Sequence, residues 1–136
     1  MEFNPFKKPS GARYIQKWVE IADKRIFARS KWEANYARFL QFMKEKGLIK
    51  DWTHEPRTWY FDGLKRGTNN YKPDFEITHN TGEFEVHEVK GYMDSKSATK
   101  LKRMGIYYPF VKVRVIDSEW FKKNNKTGKA VVKGWE

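Results

Sequence analysis

Two acidic segments of the chain carry residue types that could bind a metal ion and act on a phosphate. The first is Pro73-Asp74-Phe75, and the second is Glu88-Val89-Lys90. Asp74 and Glu88 offer carboxylate oxygens, which are ligands that Mg²⁺ uses in proteins, and Lys90 adds a positive charge. A phosphodiester is anionic and bare carboxylates would repel it, so a cation must neutralise charge and lower the pKa of an attacking water. The two segments therefore contain the residue types that would be needed to hold a divalent cation at an anionic group.

The turn between the two segments determines how they pair. His79-Asn80-Thr81-Gly82 is rich in turn-forming residues, so residues 71–78 and 83–90 are predicted to form a hairpin. A hairpin centred near Thr81 places Asp74 directly opposite Glu88. Directly opposed Cβ atoms lie about 4.5 to 5.5 Å apart, and like charges there are destabilising unless something compensates. A divalent cation would compensate.

Alternation along the second strand supports the same site. Period-two spacing puts Glu88 and Lys90 on the face that also carries Phe84 and Val86, so two charges continue an apolar row. Burial of these charges without a function carries a desolvation penalty. The alternative is an ordinary exposed ion pair at the end of a strand.

A helix that begins after Ser30 is the clearest helical element. Ser30 and Glu33 form an S-x-x-E capping box, and Gly47 lies where a C-terminal cap belongs. The apolar stripe of this helix predicts its core-facing side, and comprises Trp32, Tyr36, Phe39, Leu40 and Met43.

The remaining elements alternate between strands and helices. A hairpin is predicted at residues 17–21 and 25–28, although 14–23 could also be helical. Strands are predicted at 48–54, 58–61 and 111–117, a helix at 95–107, and a short helical start at 118–122. This order predicts an α/β fold in which helices pack on a central mixed β-sheet.

Composition limits the protein class. The 136 residues include 28 Lys and Arg, 17 Asp and Glu, and no Cys, which gives a net charge of +11. One domain is expected at 14–122, between a basic arm at 1–13 and a basic tail at 123–136. The charge favours a polyanionic partner, although ribosomal proteins and anionic-membrane binders share such a charge; DNA is the expected partner, and no membrane association is expected. The chain has no long apolar run and its first ten residues have no apolar secretion segment, so an intracellular location is expected.

The sequence resembles the PD-(D/E)xK nuclease superfamily, with Pro73-Asp74 as its first motif and Glu88-Val89-Lys90 as its second. A longer resemblance, from about Phe27 through Asp117, is to small phage-type nucleases of this superfamily, and more distantly to Holliday-junction resolvases and TnsA-like nucleases. The resemblance implies a single restriction-endonuclease-like domain and a DNA endonuclease that depends on Mg²⁺, with Mn²⁺ as a substitute. It also implies that Asp74, Glu88 and the Val89 carbonyl hold the metal, with Lys90 beside the attacked phosphate.

Other acidic and histidine residues allow two interpretations each. Glu33 could close the helix cap, or it could add a third carboxylate to the metal site, as the resemblance to nucleases with an acid in the first core helix suggests. Glu55 could be a surface acid at a turn or part of the site. His87 alternates onto the face opposite Glu88 and is expected to be structural or on the surface. The spacing of the histidines gives no support for metal ligation by His54, His79 or His87.

Five basic residues are candidates for phosphate contact. Lys96, Lys100 and Arg103 share one helix face, and Lys65 and Arg66 lie in a loop near the predicted site. Solvated surface charge is the alternative for all five.

Two other functional classes remain as alternatives. A nucleic-acid-binding module could have this fold without cutting, and a glycosidase could use Asp74 and Glu88 as acid and base. The intact motif argues against the first, and the charge and small size argue against the second. Symmetric cleavage of two strands would favour a homodimer.

Overall fold

The protein is described by a computed structural model that covers residues 16–64 and 67–136. The predicted arm at 1–13, together with Lys65 and Arg66, lies outside the described residues. A hairpin opens the described chain, with β1 at Lys17–Ile21 and β2 at Lys24–Ala28, as predicted. Ile21 pairs with Lys24 across a two-residue turn, and Ala22 has a positive φ of 55° there. The alternative prediction, a helix at 14–23, is wrong for residues 16–23, the part of that range that the structure describes.

The first helix, α1, spans Lys31–Glu45 and confirms the predicted cap. The Ser30 hydroxyl accepts a hydrogen bond from the backbone N–H of Glu33 at 3.0 Å. Among the described residues no bond returns from the Glu33 side chain to Ser30, so only half of the capping box forms. Gly47, with a φ of 75°, follows the C-terminus of the helix.

A mixed four-stranded sheet forms the centre of the protein. Its strands are β3 (Asp51–His54), β6 (Phe75–Thr78), β7 (Phe84–Val89) and β8 (Val113–Ile116), in the order β3-β6-β7-β8. The first two pairings are antiparallel and β7 pairs with β8 in parallel. A parallel pair needs a crossover, and α2 at Ser95–Tyr107 supplies it. The predicted mixed α/β architecture is confirmed.

The predicted strand at 71–78 is in fact two strands. Between them lies Lys72-Pro73-Asp74, because Pro73 has no N–H to donate to a strand neighbour. The first piece, β5 (Asn70–Tyr71), pairs with β4 (Trp59–Tyr60) in a separate two-stranded sheet. The second piece is β6. The interruption leaves Asp74 immediately before β6.

Two apolar clusters cover the two faces of the central sheet. On one face, α1 and the C-terminal helix α3 (Ser118–Val131) pack on Trp52, Phe75 and Ile77. On the other face, α2 contributes Met104 to a cluster with Val86 and the β4–β5 sheet. Glu88 lies on the same face of β7 as Val86, the α2 side, as the alternation predicted.

The C-terminal region corrects the prediction of a short helical start at 118–122 followed by a separate basic tail at 123–136. Helix α3 runs from Ser118 to Val131, well past Lys122. Trp32 stacks on Phe121 with ring centroids 4.5 Å apart, which anchors the helix to α1. The final residues fold back, and the indole N–H of Trp135 donates to the Asn125 side chain at 2.9 Å. None of the helices in the described part of the chain is long and apolar enough to cross a membrane.

Candidate active site

The β6–β7 hairpin brings the two predicted motifs together. Phe75 pairs with His87 and Thr78 with Phe84, so the pairing follows the predicted register. One step further along, Asp74 lies opposite Glu88. The carboxylate of Asp74 also accepts a hydrogen bond from the backbone N–H of Val89 at 2.8 Å. The first motif is therefore tied to the middle residue of the second.

The Asp74 and Glu88 pair is electrostatically strained. Glu88 is 8% exposed and Asp74 is partly buried. Burial raises the pKa of Asp74 well above its usual range, and the neighbouring Glu88 and then Glu33 add to that rise, while the Val89 hydrogen bond opposes it. No ion pair joins Asp74 or Glu88 to a basic side chain among residues 16–64 and 67–136. The pair thus presents negative charge that its described surroundings do not neutralise.

Tyr71 lies beside this pair. It is 2% exposed, and its hydroxyl has no hydrogen-bond partner of normal geometry in the described part of the chain. Burial, followed by the negative charge of Glu88, raises the pKa of Tyr71. The Tyr71 hydroxyl is therefore a buried polar group close to the Glu88 carboxylate.

Lys90 ends the second motif at the rim of a small cleft. The backbone N–H of Lys90 donates to the carbonyl of Ile116 at 3.0 Å, which fixes the residue at the end of β7. Lys100, from α2, lines the same cleft. The cleft is bordered by Tyr71, Lys72, Glu88, Lys90, Ser97, Lys100 and Leu101.

A second polar cluster lies near Asp74 and contains Glu33, His54 and Glu55. Ligand atoms of all three side chains lie within 4.8 Å of one another. His54 Nε2 is 2.6 Å from Glu33 Oε1 and 3.9 Å from Glu55 Oε1. The Glu33 carboxylate is therefore held by His54. Its effect on Asp74 is electrostatic repulsion, which contributes to the raised pKa of Asp74.

Glu55 links this cluster to the backbone of Asp74. Its N–H donates to the Asp74 carbonyl at 2.7 Å, and its φ of 48° lies in the left-handed region. Its side chain forms an ion pair with Arg29. Burial acts to raise the pKa of Glu55, but the Arg29 hydrogen bond and nearby cations outweigh it, so the pKa is lowered. Glu55 is thus a charged neighbour of the site rather than an isolated surface acid.

From the sequence, His54 has no place in the site, because no short-range motif contains it, yet the fold groups it with Glu33 and Glu55. It meets Glu33 only because β3 pairs with β6, with His54 opposite Phe75. The one available signal was its place beside Glu55-Pro56, at the end of a predicted strand.

His87 has the structural role expected of it. Its Nδ1 lies 2.6 Å from the hydroxyl of Tyr36, on the α1 side of the sheet. Burial lowers the pKa of His87 to about 4, so the ring is neutral at physiological pH.

The three basic residues of α2 are placed differently from one another. Lys96 is exposed, and Lys100 lies at the cleft that contains Glu88. The guanidinium of Arg103 donates to the backbone carbonyl of Thr68. Arg103 therefore also fixes the loop before β5.

Fold and site together define a small mixed α/β domain with two opposed carboxylates, one buried and one partly buried, on a hairpin of the central sheet. A family model described as a protein of unknown function (DUF1064) matches residues 12–128. The chain belongs to this DUF1064 family. A search of curated proteins gives no match.

Proposed function

We propose that this protein is a DNA endonuclease that requires a divalent metal ion. The observation that supports this most is the opposition of Asp74 and Glu88, whose negative charge is not balanced by a basic side chain within the described ranges. The net charge of +11 supports a polyanionic substrate. DNA inside the cell is the substrate we infer, and branched or otherwise structured DNA is favoured because the chain has no recognised sequence-reading motif.

The donor set at the site suits Mg²⁺ or Mn²⁺. Mg²⁺ is commonly held by one or two carboxylates with several waters. Asp74 and Glu88 would supply those carboxylates, and the Val89 carbonyl is a third candidate ligand. Glu33 could join them if its carboxylate left His54. A bound metal would neutralise charge on the phosphate and lower the pKa of a water molecule.

The protein residues around the pair have separate tasks. The Val89 N–H holds the Asp74 carboxylate in place. Lys90, at the end of β7, would stabilise the negative charge that grows on the phosphate as water attacks. Lys100, in the same cleft, would hold the phosphate against the pair.

The test is a cleavage assay on supercoiled plasmid, linear duplex and a synthetic four-way junction. Cutting is expected with Mg²⁺ or Mn²⁺ and is expected to disappear in EDTA. Asp74→Asn, Glu88→Gln and Lys90→Ala should each lose most activity while still binding DNA. Glu83→Gln is the matched control, because Glu83 is an exposed acid at the hairpin turn.

Two results would overturn the proposal. Undiminished cutting in EDTA would exclude the metal role. A parent protein that binds DNA but cuts none of the substrates would instead support a non-catalytic binding module. The mass of the protein in solution, measured alongside, shows whether it forms a two-fold dimer, which could cut two strands symmetrically.

A further inference from the structure

One side of α2 carries a continuous stripe of cations that ends in an aromatic ring. The stripe consists of Lys96, Lys100, Arg103 and Tyr107, at spacings i, i+4, i+7 and i+11. At 100° per residue these four positions fall within a sector of about 60°, and the stripe is about 16 Å long. We call this set the α2 stripe. Its length matches a few nucleotides of an extended strand.

The α2 stripe borders the candidate active site at Lys100. Lys100 lines the cleft that contains Glu88 and Lys90. Lys96 and Lys100 also line a shallow depression with Thr68 and Asn69. A strand whose phosphate lies at Glu88 would therefore meet these lysines first.

Tyr107 forms the far end of the α2 stripe. Tyr107 is 36% exposed, and its ring lies against that of Phe61 with centroids 5.2 Å apart. Phe61 is almost fully buried, so it supports one side of a ring that is partly open to solvent. Exposed apolar side chains occur around the same end of the helix, namely Tyr60, Ile106 and Phe110.

We propose that the α2 stripe binds an unpaired DNA strand adjacent to the phosphate that is cut, with one base stacked on Tyr107. The position of the cut phosphate rests on the proposed nuclease function. Contacts with DNA phosphates account for the cations of the stripe. They do not account for Tyr107, because the bases of a regular duplex are stacked on each other and leave no free face for the ring. An aromatic ring beside a basic groove is the usual arrangement for holding single strands. The substrate class is therefore DNA with an unpaired segment next to the cut site.

A second copy of this chain fits the same surface poorly. Two copies facing each other here would bring two sets of Lys96, Lys100 and Arg103 together, in a protein of net charge +11. A polyanion removes that repulsion.

The test measures DNA binding in EDTA, where no cleavage can occur. The probes are a short single strand, a blunt duplex, and that duplex with an unpaired extension. Tyr107→Ala should weaken binding to the single strand and the extended duplex by about fivefold or more, the lower end of a stacking interaction. Binding to the blunt duplex should be unchanged, and Tyr107→Phe should bind all three probes as the parent does.

The lysines have a matched control on the other face of the sheet. Lys96→Ala combined with Lys100→Ala should weaken binding to every probe and reduce the salt dependence on single strands by about 0.7 for each lost contact. Lys122→Ala combined with Lys126→Ala removes the same charge at the same spacing from α3. This control should bind as the parent does.

A second measurement does not depend on how well Tyr107→Ala folds. A 2-aminopurine base at the first unpaired position should lose fluorescence on binding to the parent and to Tyr107→Phe. Absence of that quenching would overturn the proposal, as would equal losses on blunt and extended duplex. If Tyr107→Ala changes the oligomeric state of the protein in solution but leaves DNA binding unaltered, the surface would be assigned to a second copy of the chain instead.

The two proposals can fail separately. If the binding pattern holds but no substrate is cut in Mg²⁺, the nuclease proposal fails and the strand site remains. If the parent cuts DNA but Tyr107→Ala binds the extended duplex normally, only the strand site fails.

Discussion

The carboxylate of Asp74 accepts a hydrogen bond from the backbone N–H of Val89 at 2.8 Å, across the open end of the β6–β7 hairpin. Asp74 follows a proline that ends one strand, and Val89 is the last residue of another. The bond orients one carboxylate oxygen and leaves the other for a further partner. The same contact thus helps close the hairpin and positions the acid that we assign to metal binding.

Replacement of Asp74 should stabilise the protein while it removes function. The pKa of Asp74 is raised in the folded state, so its contribution to stability is full below about pH 4, the ordinary pKa, and is lost as pH rises through the raised value. Asp74→Asn should therefore melt at a higher temperature than the parent at pH 7, and the difference should vanish near pH 4. Thermal melts at several pH values check this.

Calcium provides the companion measurement. CaCl₂ at pH 7 should raise the melting temperature of the parent and leave Asp74→Asn unchanged, because ligand binding to the folded state alone stabilises it. Glu83→Gln serves as the control and should respond to calcium as the parent does. A calcium response that survives in Asp74→Asn would place the cation elsewhere.

Substitutions at Glu33 and Ser30 should have separate effects, one on cleavage and the other on stability. Glu33→Gln keeps the backbone N–H that bonds to Ser30 but loses the charged oxygen, so it should melt within a few degrees of the parent, lose most cleavage and need more Mg²⁺. Ser30→Ala loses the cap, which should lower stability by about 1 kcal/mol without affecting cleavage. Thermal melts and a Mg²⁺ titration of cleavage distinguish the two. Full activity of Glu33→Gln at ordinary Mg²⁺ would leave Glu33 a structural role only.

His87 should resist protonation. Its imidazole NMR signals should remain those of a neutral ring until the pH approaches about 4. The unfolded chain protonates this ring near pH 6.5, so the stability due to His87 is full above pH 6.5 and falls as the pH drops toward 4. His87→Gln should flatten the pH dependence of urea unfolding in that window. A titration midpoint of the His87 ring near pH 6.5 would contradict the buried position of this residue.

Two glycines in helices should respond to alanine in opposite directions. Gly105 in α2 has open space where a Cβ would lie, so Gly105→Ala should raise stability by about 0.5 to 1 kcal/mol. At Gly128 in α3 a Cβ would lie 2.5 Å from the ring of Trp135, so Gly128→Ala should lower the melting temperature by displacing the C-terminal residues. Urea unfolding of both variants checks the contrast. Equal effects would mean that Trp135 does not pack on the helix.

The parts of the fold that follow from neighbouring residues were accessible from the sequence. The hairpin register followed from its short turn, and α2 lies at Ser95–Tyr107, as predicted, between the N-cap residue Asp94 and Pro109. The Asp94 carboxylate accepts from the backbone N–H of Ser97 at 2.6 Å, which is the local bond that such a cap predicts.

The parts that depend on distant pairing were not accessible. His54 reaches Glu33 only through the β3–β6 pairing, and no spacing in the sequence records that contact. Helix α3 continues past Lys122 because Phe121 packs on Trp32 and Trp135 packs at Gly128, although its polar composition is that of a solvated tail. Packing of this kind outweighs local propensity.

The position of α2 between β7 and β8 has a consequence for the order of folding. The β6–β7 hairpin closes over a short turn, whereas β8 can pair with β7 only after the whole crossover has been brought back. Contacts that close short loops form sooner, because less chain entropy is lost beforehand. We therefore expect Asp74 and Glu88 to face each other before α2 covers them, so the two charges meet while water still screens their repulsion.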